Sequence, residues 1–430
     1  MKNEALLKKA QYKIKTGRFN EAINNYKKIL RKHPNHFDAL FMVGTLYAKQ
    51  NKMAVAIRYL EMAVKIKPDF ADLWNNLGNV YKATGDFARA KKCYMDCLKL
   101  NPSHASAHHG LGTIFVEDIK EQQRALECFR TALSLDPNIA EAHFGYGLLL
   151  INSGNPQGLE HLERAHQLNP HQEGLLNKLG TAYVKFGKTQ EAIIRLKSAV
   201  EQNSDDTEAQ YFLSIAQGKK PEKELREQYF EEMFDKFSGS FEQLLVEKLE
   251  YTIPTTAREI LENIYGSNLR FNNMVDLGCG TGLSGVAFRD CTEKLTGIDF
   301  SEKMVREACQ KNVYDKLLCG EVIHVLDSLE SFYDFFLATD IFIYFQDLDN
   351  LIASIKRRST PGALLVVTTE CYDNNEDFII RGSGRVAHST KYIHRLTDTF
   401  SIKIVAEKRL PLRKEHEEWI EGDLYVCEIT

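Results

Sequence analysis

FNNMVDLGCGTGLSGVAF, residues 271–288, is the stretch on which the fold of this 430-residue chain turns. A short apolar run ends at Asp276, the chain bends through Gly278, Gly280 and Gly282, and apolar residues then recur at helical spacing. This predicts a strand, a glycine loop and a helix. Glycine lets the chain turn sharply and lets a ligand touch backbone with no side chain in the way, while the start of the next helix offers unpaired amides. The segment therefore reads as a cofactor cradle. The loop alone does not say which cofactor, because dinucleotide enzymes use a similar arrangement.

Three neighbouring features narrow the choice. Asp276 stands two residues before the first glycine, where a carboxylate suits a cationic ligand group and repels a pyrophosphate. KLTGIDFSEKMVREA, residues 294–308, supplies a second strand ending at Asp299, whose two oxygens can accept both hydroxyls of a ribose. Dinucleotide enzymes share that second feature. The chain closes with IKIVAEKRLPLRKEHEEWIEGDLYVCEI, residues 402–429, which reads as two alternating strands from about Ile402 and Asp423 with a long excursion between them. Such a reversed hairpin finishes a mixed sheet and separates the two classes.

Upstream of the loop the chain repeats itself with a period of about 34 residues, carrying Gly, Ala and Pro at fixed positions. The second copy shows Gly44, Ala56 and Pro68 with Leu40, Tyr47, Leu60 and Ala63 between; the third shows Gly78, Ala90 and Pro102 with Trp74, Leu77, Tyr81 and Tyr94. The first is weaker, with Ala10, Ala22, Tyr26 and Pro34. The fourth, with Gly112, Ala125, Phe129 and Pro137, carries an extra residue between its helices, and the fifth, with Gly147, Ala165 and Pro170, is one short. A sixth keeps Gly180, Tyr183, Ala192 and Ala199. Small residues let paired helices approach, large ones fill the gaps and proline ends the second helix. This spine resembles the tetratricopeptide repeat. Each repeat leaves an apolar face that its neighbour must cover, so DDTEAQYFLSIAQ, residues 205–217, is expected to form a closing helix with a polar outer side. Asp72, Asn75, Asn79, Lys82, His109, Asn177, Thr181 and Lys185 are expected to line a concave groove. They either meet a peptide partner, are solvated, or face part of the same chain. The segment around Trp74 resembles repeats of O-linked glycosyltransferases, but Asn76 has no counterpart at Met42, Gly110, Gly145 or Lys178, so no asparagine ladder is expected.

Between these halves, GKKPEKELREQ at 218–228 reads as a short charged linker. Tyr229, Phe230, Phe234, Phe237, Phe241, Leu245 and Leu249 then recur at helical steps, interrupted at Ser238-Gly239-Ser240. Two helices meeting at a hinge are expected there, either as core or as a lid. The domain boundaries are therefore placed at 1–217, 218–250 and 251–430.

With these residues in place, the C-terminal half resembles class I S-adenosylmethionine-dependent methyltransferases, and the whole chain is similar to methyltransferases with N-terminal tetratricopeptide repeats. The resemblance implies an all-α solenoid followed by a Rossmann-like α/β domain with a mixed seven-stranded sheet. It implies that Asp276, Gly278 and Gly280 hold the methionine moiety and Asp299 the ribose. Phe300 and Met304 would flank the adenine, Glu321 would meet its amino group with Val322 supplying backbone, and Asp340 and Tyr344 would stand between cofactor and substrate. The family's opening segment reads like FDxFAxxFDxHLV, and here Ser238, Glu242 and Leu244 depart from it. GRVAHSTKYIHRLTDTFSIKIV, residues 384–405, matches a family block and would set Arg385, His388, Ser389 and Tyr392 in a loop and helix above the site.

Methyl transfer is an in-line displacement at an activated carbon, so few catalytic groups are needed. His388, which follows Glu370 at a strand end, is the expected general base, with Tyr344 beside it. Arg385, Tyr392, Tyr229 and Phe237 are expected at the substrate, and Arg381 with Arg385 could hold a carboxylate or phosphate. The acceptor stays open: oxygen or nitrogen first, carbon compatible, on a protein, a carrier or a small molecule. Two other classes remain, a repeat scaffold whose second domain binds cofactor without turnover, and a nicotinamide oxidoreductase.

Composition excludes little else. Lys and Arg number 55 against 59 Asp and Glu, with no block of one sign, so no nucleic-acid partner is expected. The nine cysteines are odd in number and form no CxxC pair, which speaks against a disulfide framework and a thiolate metal site. Cys93 and Cys97, one helical turn apart, read as packing residues. The charged start MKNEALLKKAQYKIK lacks the apolar core of a signal peptide and no run reaches membrane-spanning length, so no membrane partner and a cytoplasmic setting are expected. Nothing in the sequence sets an oligomeric state.

Overall fold

The computed structural model describes residues 2–116, 118, 121–243, 245–246, 249–415 and 418–430, with the side chains of 2, 3, 237–241, 243 and 415 outside the described part. Compactness divides the chain between Leu175 and Leu176. The boundary expected at 217 marks a change of sequence character, whereas the contacts group 176–217 with everything that follows.

The first unit consists of helices Lys2–Lys15, Phe19–Lys32, Phe37–Lys49, Met53–Ile66, Ala71–Ala83, Phe87–Leu100, Ala105–Val116, Gln122–Leu135, Ala140–Asn152 and Gly158–Leu168. They pair because the repeat spine leaves room for it. Ala22, Ala56, Ala90, Ala125 and Ala165 are wholly buried. A Cβ on Gly44 would lie 2.6 Å from Leu60, one on Gly78 2.8 Å from Tyr94, and one on Gly112 2.9 Å from Phe129. In the short fifth copy the two helices cross glycine on glycine, with a Cβ on Gly147 only 3.0 Å from the Gly158 carbonyl oxygen. Several expected groove residues are engaged within the array: the Tyr94 hydroxyl donates to Asn79 at 2.7 Å, Asp72 lies 3.1 Å from His104, and Asn75 is buried.

The second unit begins with helices Leu175–Lys185, Thr189–Gln202, Thr207–Ala216 and Lys223–Gln243. The last of these is continuous, which corrects the hinge expected at 238–240: i→i−4 bonding carries through the Ser-Gly-Ser stretch despite its poor helix propensity. Helix Thr207–Ala216 differs from a solvated cap, since Thr207, Ala209, Tyr211 and Phe212 are buried. After helix Ile253–Tyr265 the chain alternates strand and helix. It runs β1 (Phe271–Leu277), β2 (Thr292–Asp299), β3 (Lys316–Cys319), β4 (Tyr333–Ala338), β5 (Ser359–Cys371), β6 (Phe378–Ile380), β7 (Val386–His388), β8 (Ile402–Glu415) and β9 (Glu418–Ile429).

Strands β3-β2-β1-β4-β5 are parallel and β9 and β8 complete the sheet antiparallel, which gives the seven strands expected. β4 (YDFFLA) reads as a nearly continuous apolar run, and β1 and β2 are buried on both faces from Met274 and Leu295 onward. Two features depart from expectation. The closing strands contain no long excursion between them: β8 and β9 pair from Ile402↔Ile429 to Glu415↔Glu418. The short hairpin β6–β7 adds two strands. Glu370 pairs with Gly422 of β9 on one edge and with Ala387 of β7 on the other, so β7 occupies the edge that β4 vacates beyond Ala338. That is where the chain leaves the sheet toward Tyr344, and it sets the hairpin beside the ligand end of the strands. Among the described residues no helix is long and apolar enough to cross a membrane.

Candidate cofactor and acceptor site

At the carboxyl ends of the parallel strands lies a cavity of about 160 Å³. Gly278, Cys279, Gly280, Thr281, Leu283 and Ser284 form one wall. The loop is held by the neighbouring strand: the amides of Gly278 and Cys279 donate to the Ile298 carbonyl at 2.8 and 3.0 Å, and that of Gly280 donates to Asp299 Oδ2 at 2.8 Å. Gly278 has φ +73° and a Cβ there would press on Ile341 at 3.0 Å, so both backbone and space demand glycine. Gly278, Gly280 and Asp299 open on the same space.

Asp299 is buried, and besides Gly280 it accepts from the Ser301 amide at 2.9 Å. Burial raises its pKa against the pull of these amides. Ser301 then caps helix Glu302–Gln310, its Oγ accepting from the Met304 amide at 3.3 Å, which brings Phe300 and Met304 to the cavity. Asp276 stands behind the lining. Its Oδ2 accepts from the Tyr314 hydroxyl at 2.6 Å, its Oδ1 is buried without a hydrogen-bond partner, and burial pushes its pKa to about 7, eased by Tyr314 and raised by Asp299. Glu321 and Val322 also line the cavity. Glu321 caps helix Val322–Ser328, accepting from the amides of Ile323 and His324 at 3.2 and 2.8 Å.

The opposite wall comes from the segment after β4. Asp340, with φ +60°, donates its amide to Thr368 Oγ1 at 2.9 Å and aims its carboxylate at Arg413, 3.0 Å away. Arg413 is wholly buried on β8 and also pairs with Glu370, so two carboxylates neutralise a charge that burial would otherwise make costly. Ile341, Tyr344 and Phe345 complete this side. Helix Lys223–Gln243 forms a roof through Arg226, Glu227, Phe230 and Phe234, joined by Leu245 and Tyr251. It is latched to helix Glu302–Gln310, because Asp235 accepts from Ser301 Oγ at 2.8 Å and from Lys303 Nζ at 3.0 Å. Phe230 and Phe234 meet Tyr344 edge-on at 4.8 and 5.3 Å, and burial lifts the Tyr344 phenol to about 12.

The structure thus gathers Gly278, Gly280, Asp299, Phe300, Met304, Glu321, Val322, Asp340 and Tyr344 around one cavity. Other expected residues stand elsewhere. His388 does not line it: it ends β7, is buried, stacks on Tyr392 at 5.8 Å and has its pKa depressed to about 4 by burial. Its register opposite Cys371 and Phe378 turns it into the hairpin's packing. Tyr392 is also a core residue, accepting from the Leu348 amide and donating to Asp349. Tyr229 stacks on Tyr211 at 4.3 Å, behind the roof. Arg385 acts on the site at one remove, its charge favouring proton loss from Tyr344, while Arg381 pairs with Glu370 at 2.9 Å. The side chain of Phe237 lies outside the described part. Sequence reasoning did not single out Thr281, Ser284, Thr339 or Tyr251. It treated Phe230 and Phe234 only as members of a stripe, in which the step from 230 to 234 was the available signal.

A glycine loop facing an acid at the end of the second strand is common to Rossmann-like nucleotide-cofactor domains, and the antiparallel β9–β8 end of this sheet is the feature of the methyltransferase class. A methyltransferase-domain model matches residues 275–367, and tetratricopeptide repeat models match 7–69, 71–104 and 115–216. The chain carries tetratricopeptide repeats followed by a class I methyltransferase domain. Among curated proteins, 93 residues are 29% identical to the probable UDP-N-acetylglucosamine–peptide N-acetylglucosaminyltransferase SEC of Arabidopsis thaliana, covering 22% of this chain and 10% of that one. Over 90 residues it is 27% identical to an N-terminal acetyltransferase A complex subunit-like protein of Schizosaccharomyces pombe, covering 21% and 13%. The chain thus spans only 10% and 13% of these two relatives' length. Among solved structures, pilF of Pseudomonas aeruginosa is 17% identical with TM-score 0.45, covering 49% of this chain and 96% of that one. The N-methyltransferase NodS of Bradyrhizobium japonicum WM9, solved with S-adenosyl-L-homocysteine, is 19% identical with TM-score 0.33, covering 41% and 85%. The family models, and not these distant likenesses, carry the assignment.

Proposed function

We propose that this protein transfers a methyl group from S-adenosylmethionine to an oxygen or nitrogen acceptor, with the repeats recruiting a protein or carrier partner. The observation that carries the reading is the opening of Gly278, Gly280 and Asp299 onto one cavity that Phe300 and Met304 also line. The residues fit the cofactor. The buried Oδ1 of Asp276 lacks a donor, which an ammonium would supply, and each Asp299 oxygen, already holding one amide, keeps a lone pair for a ribose hydroxyl. Phe300 and Met304 offer faces to a flat base, with Glu321 and Val322 at its edge. When bound, the cofactor supplies a methyl group on a sulfonium, open to in-line displacement.

The chain's own part is placement and exclusion of water. Phe230, Phe234, Tyr344 and Phe345 make an apolar acceptor end that favours a flat or apolar acceptor. Tyr344 keeps its proton at neutral pH and so orients by hydrogen bonding without acting as a base. Asp340 is held in a salt bridge by Arg413, which leaves the acceptor to bring its own lone pair or to lose its proton to water. The nine free thiols support a reducing, cytoplasmic setting.

The absence of His388 from the cavity lining favours a second reading, a scaffold whose methyltransferase domain binds cofactor without turning over. Calorimetric titration separates the classes. S-adenosylmethionine and S-adenosylhomocysteine are expected to bind and nicotinamide nucleotides to give no heat; binding of the nicotinamide nucleotides alone would discard the methyltransferase reading. Slow self-hydrolysis or transfer to fractionated lysate in the presence of labelled cofactor then distinguishes enzyme from scaffold.

A further inference from the structure

Helix Thr207–Ala216, which closes the repeats, meets the roof helix and the turn between β6 and β7 with the same few side chains. On one side Tyr211 stacks on Tyr229 of the roof helix at 4.3 Å with planes 10° apart, and Thr207 donates to Glu232 at 3.0 Å while accepting from Gln228 at 3.0 Å. On the other side the Tyr211 hydroxyl, wholly buried, donates to the Gly384 carbonyl at 2.9 Å. Gly384 belongs to the turn joining β6 and β7, has φ +81°, and would bring a Cβ to 3.1 Å from the Tyr211 ring. Next to it, a Cβ on Gly382 would lie 2.9 Å from the Lys185 Cα, so the turn is seated on helix Leu175–Lys185 as well. The groove at this last helical pair is therefore filled by the same chain.

Both elements lead to one cavity residue. From the roof, Phe230 follows Tyr229 and meets Tyr344 at 4.8 Å. From the turn, Arg385 follows Gly384, and its guanidinium charge acts on the Tyr344 phenol. The turn is itself tight, with the Arg381 amide donating to the Arg385 carbonyl and the Gly384 amide to the Arg381 carbonyl, each at 2.8 Å. A shift of the Tyr211 ring or hydroxyl thus has two short paths to the same phenol, neither longer than three residues.

We propose that Tyr211 is a positioning residue for the acceptor end of the site, holding Phe230 and Arg385 so that they clamp Tyr344, and that the last helical pair of the repeats is part of the catalytic unit. The acceptor role rests on the function proposed above, whereas the clamp itself does not.

Amide hydrogen exchange on the full chain tests it, with S-adenosylhomocysteine titrated in the same samples. Tyr211→Phe keeps the ring stack and loses the hydroxyl; Tyr211→Leu loses both. Tyr211→Phe is expected to speed exchange about tenfold at 381–385 and at 342–348 while leaving 227–234 protected, as follows from removing one buried hydrogen bond. Tyr211→Leu is expected to speed all three, with 271–277 unchanged in both variants. Opening of 381–385 and 227–234 with 342–348 unmoved would overturn the clamp. Failure of the unaltered chain to bind S-adenosylhomocysteine would count against the cofactor reading alone, because the exchange pattern still decides the clamp.

Discussion

In the first unit Gly44, Gly78 and Gly112 sit inside helices, and a side chain there would strike Leu60, Tyr94 or Phe129 on the paired helix. In the second, Gly278 and Gly282 sit between a strand and a helix with φ +73° and +94°, and Gly278 and its neighbour Gly280 face a cavity. One residue type serves two physical ends: close approach of packed helices in the first case, and backbone that only glycine adopts easily beside ligand space in the second. The first unit's residues should therefore be read through stability, the second's through ligand affinity.

Acid should expose the two units separately and most strongly. His109 in the first and His388 in the second both have pKa values pushed down to about 4, by burial above all. The folded chain favours the neutral ring, so the unfolded chain takes up the proton first. Stability is intact above about pH 6.5 and falls as the pH drops toward about 4, by roughly 3 kcal/mol for each group. Denaturation at pH 7.5 and 4.5 should show His109→Gln relieving only the first unit's loss and His388→Gln only the second's; relief of both by one substitution would mean the units do not unfold independently.

The next largest effect belongs to the site. Asp299→Asn should weaken S-adenosylmethionine binding on the order of 100-fold by removing the charge from two ribose contacts, with a smaller drop in the thermal midpoint of the free protein, because one oxygen that accepts from a backbone amide becomes an NH2 that cannot. Unaltered affinity by calorimetry would remove Asp299 from the proposed site. Gly78→Ala should do the reverse, costing the first unit about 2 kcal/mol through collision with Tyr94 while cofactor affinity stays the same. Scanning calorimetry paired with a binding titration checks both halves. The smallest effect is expected of Asp276, whose pKa near 7 means that its charge is only partly present at neutrality. Affinity for the cationic cofactor should rise with pH toward about 7 and level off above it, and Asp276→Asn should flatten that rise, a few-fold effect. An Asn variant with the wild-type slope would assign the titration to another group.

The site was legible where a short motif states a local demand. Gly278, Gly280, Asp299, Phe300 and Met304 lie within two strand–turn–helix passages, and each turn carries its cavity-lining groups at a spacing that backbone geometry dictates. Glu321 was legible as well, although its carboxylate already serves as a helix cap. His388, expected at the site, lies off the cavity lining, because a histidine after a strand end carries no mark of which face it turns to; register against Phe378 and Cys371 decides that. The hinge expected at Ser238-Gly239-Ser240 failed because local propensity is weak beside the packing of a whole helix.

Taken alone, the sequence determined the repeat spine, the glycine loop and the strand–turn–helix passages on either side of it. Each is set by steric rules acting over a few residues or one period, and such rules survive in linear spacing. Tertiary structure alone decided that Arg413 would be buried between Glu370 and Asp340, that β6–β7 would take the edge left by β4, and that Tyr211 would bond a carbonyl 173 residues away. Those outcomes depend on which distant surfaces meet once the core has closed, and no local pattern in the chain encodes that meeting.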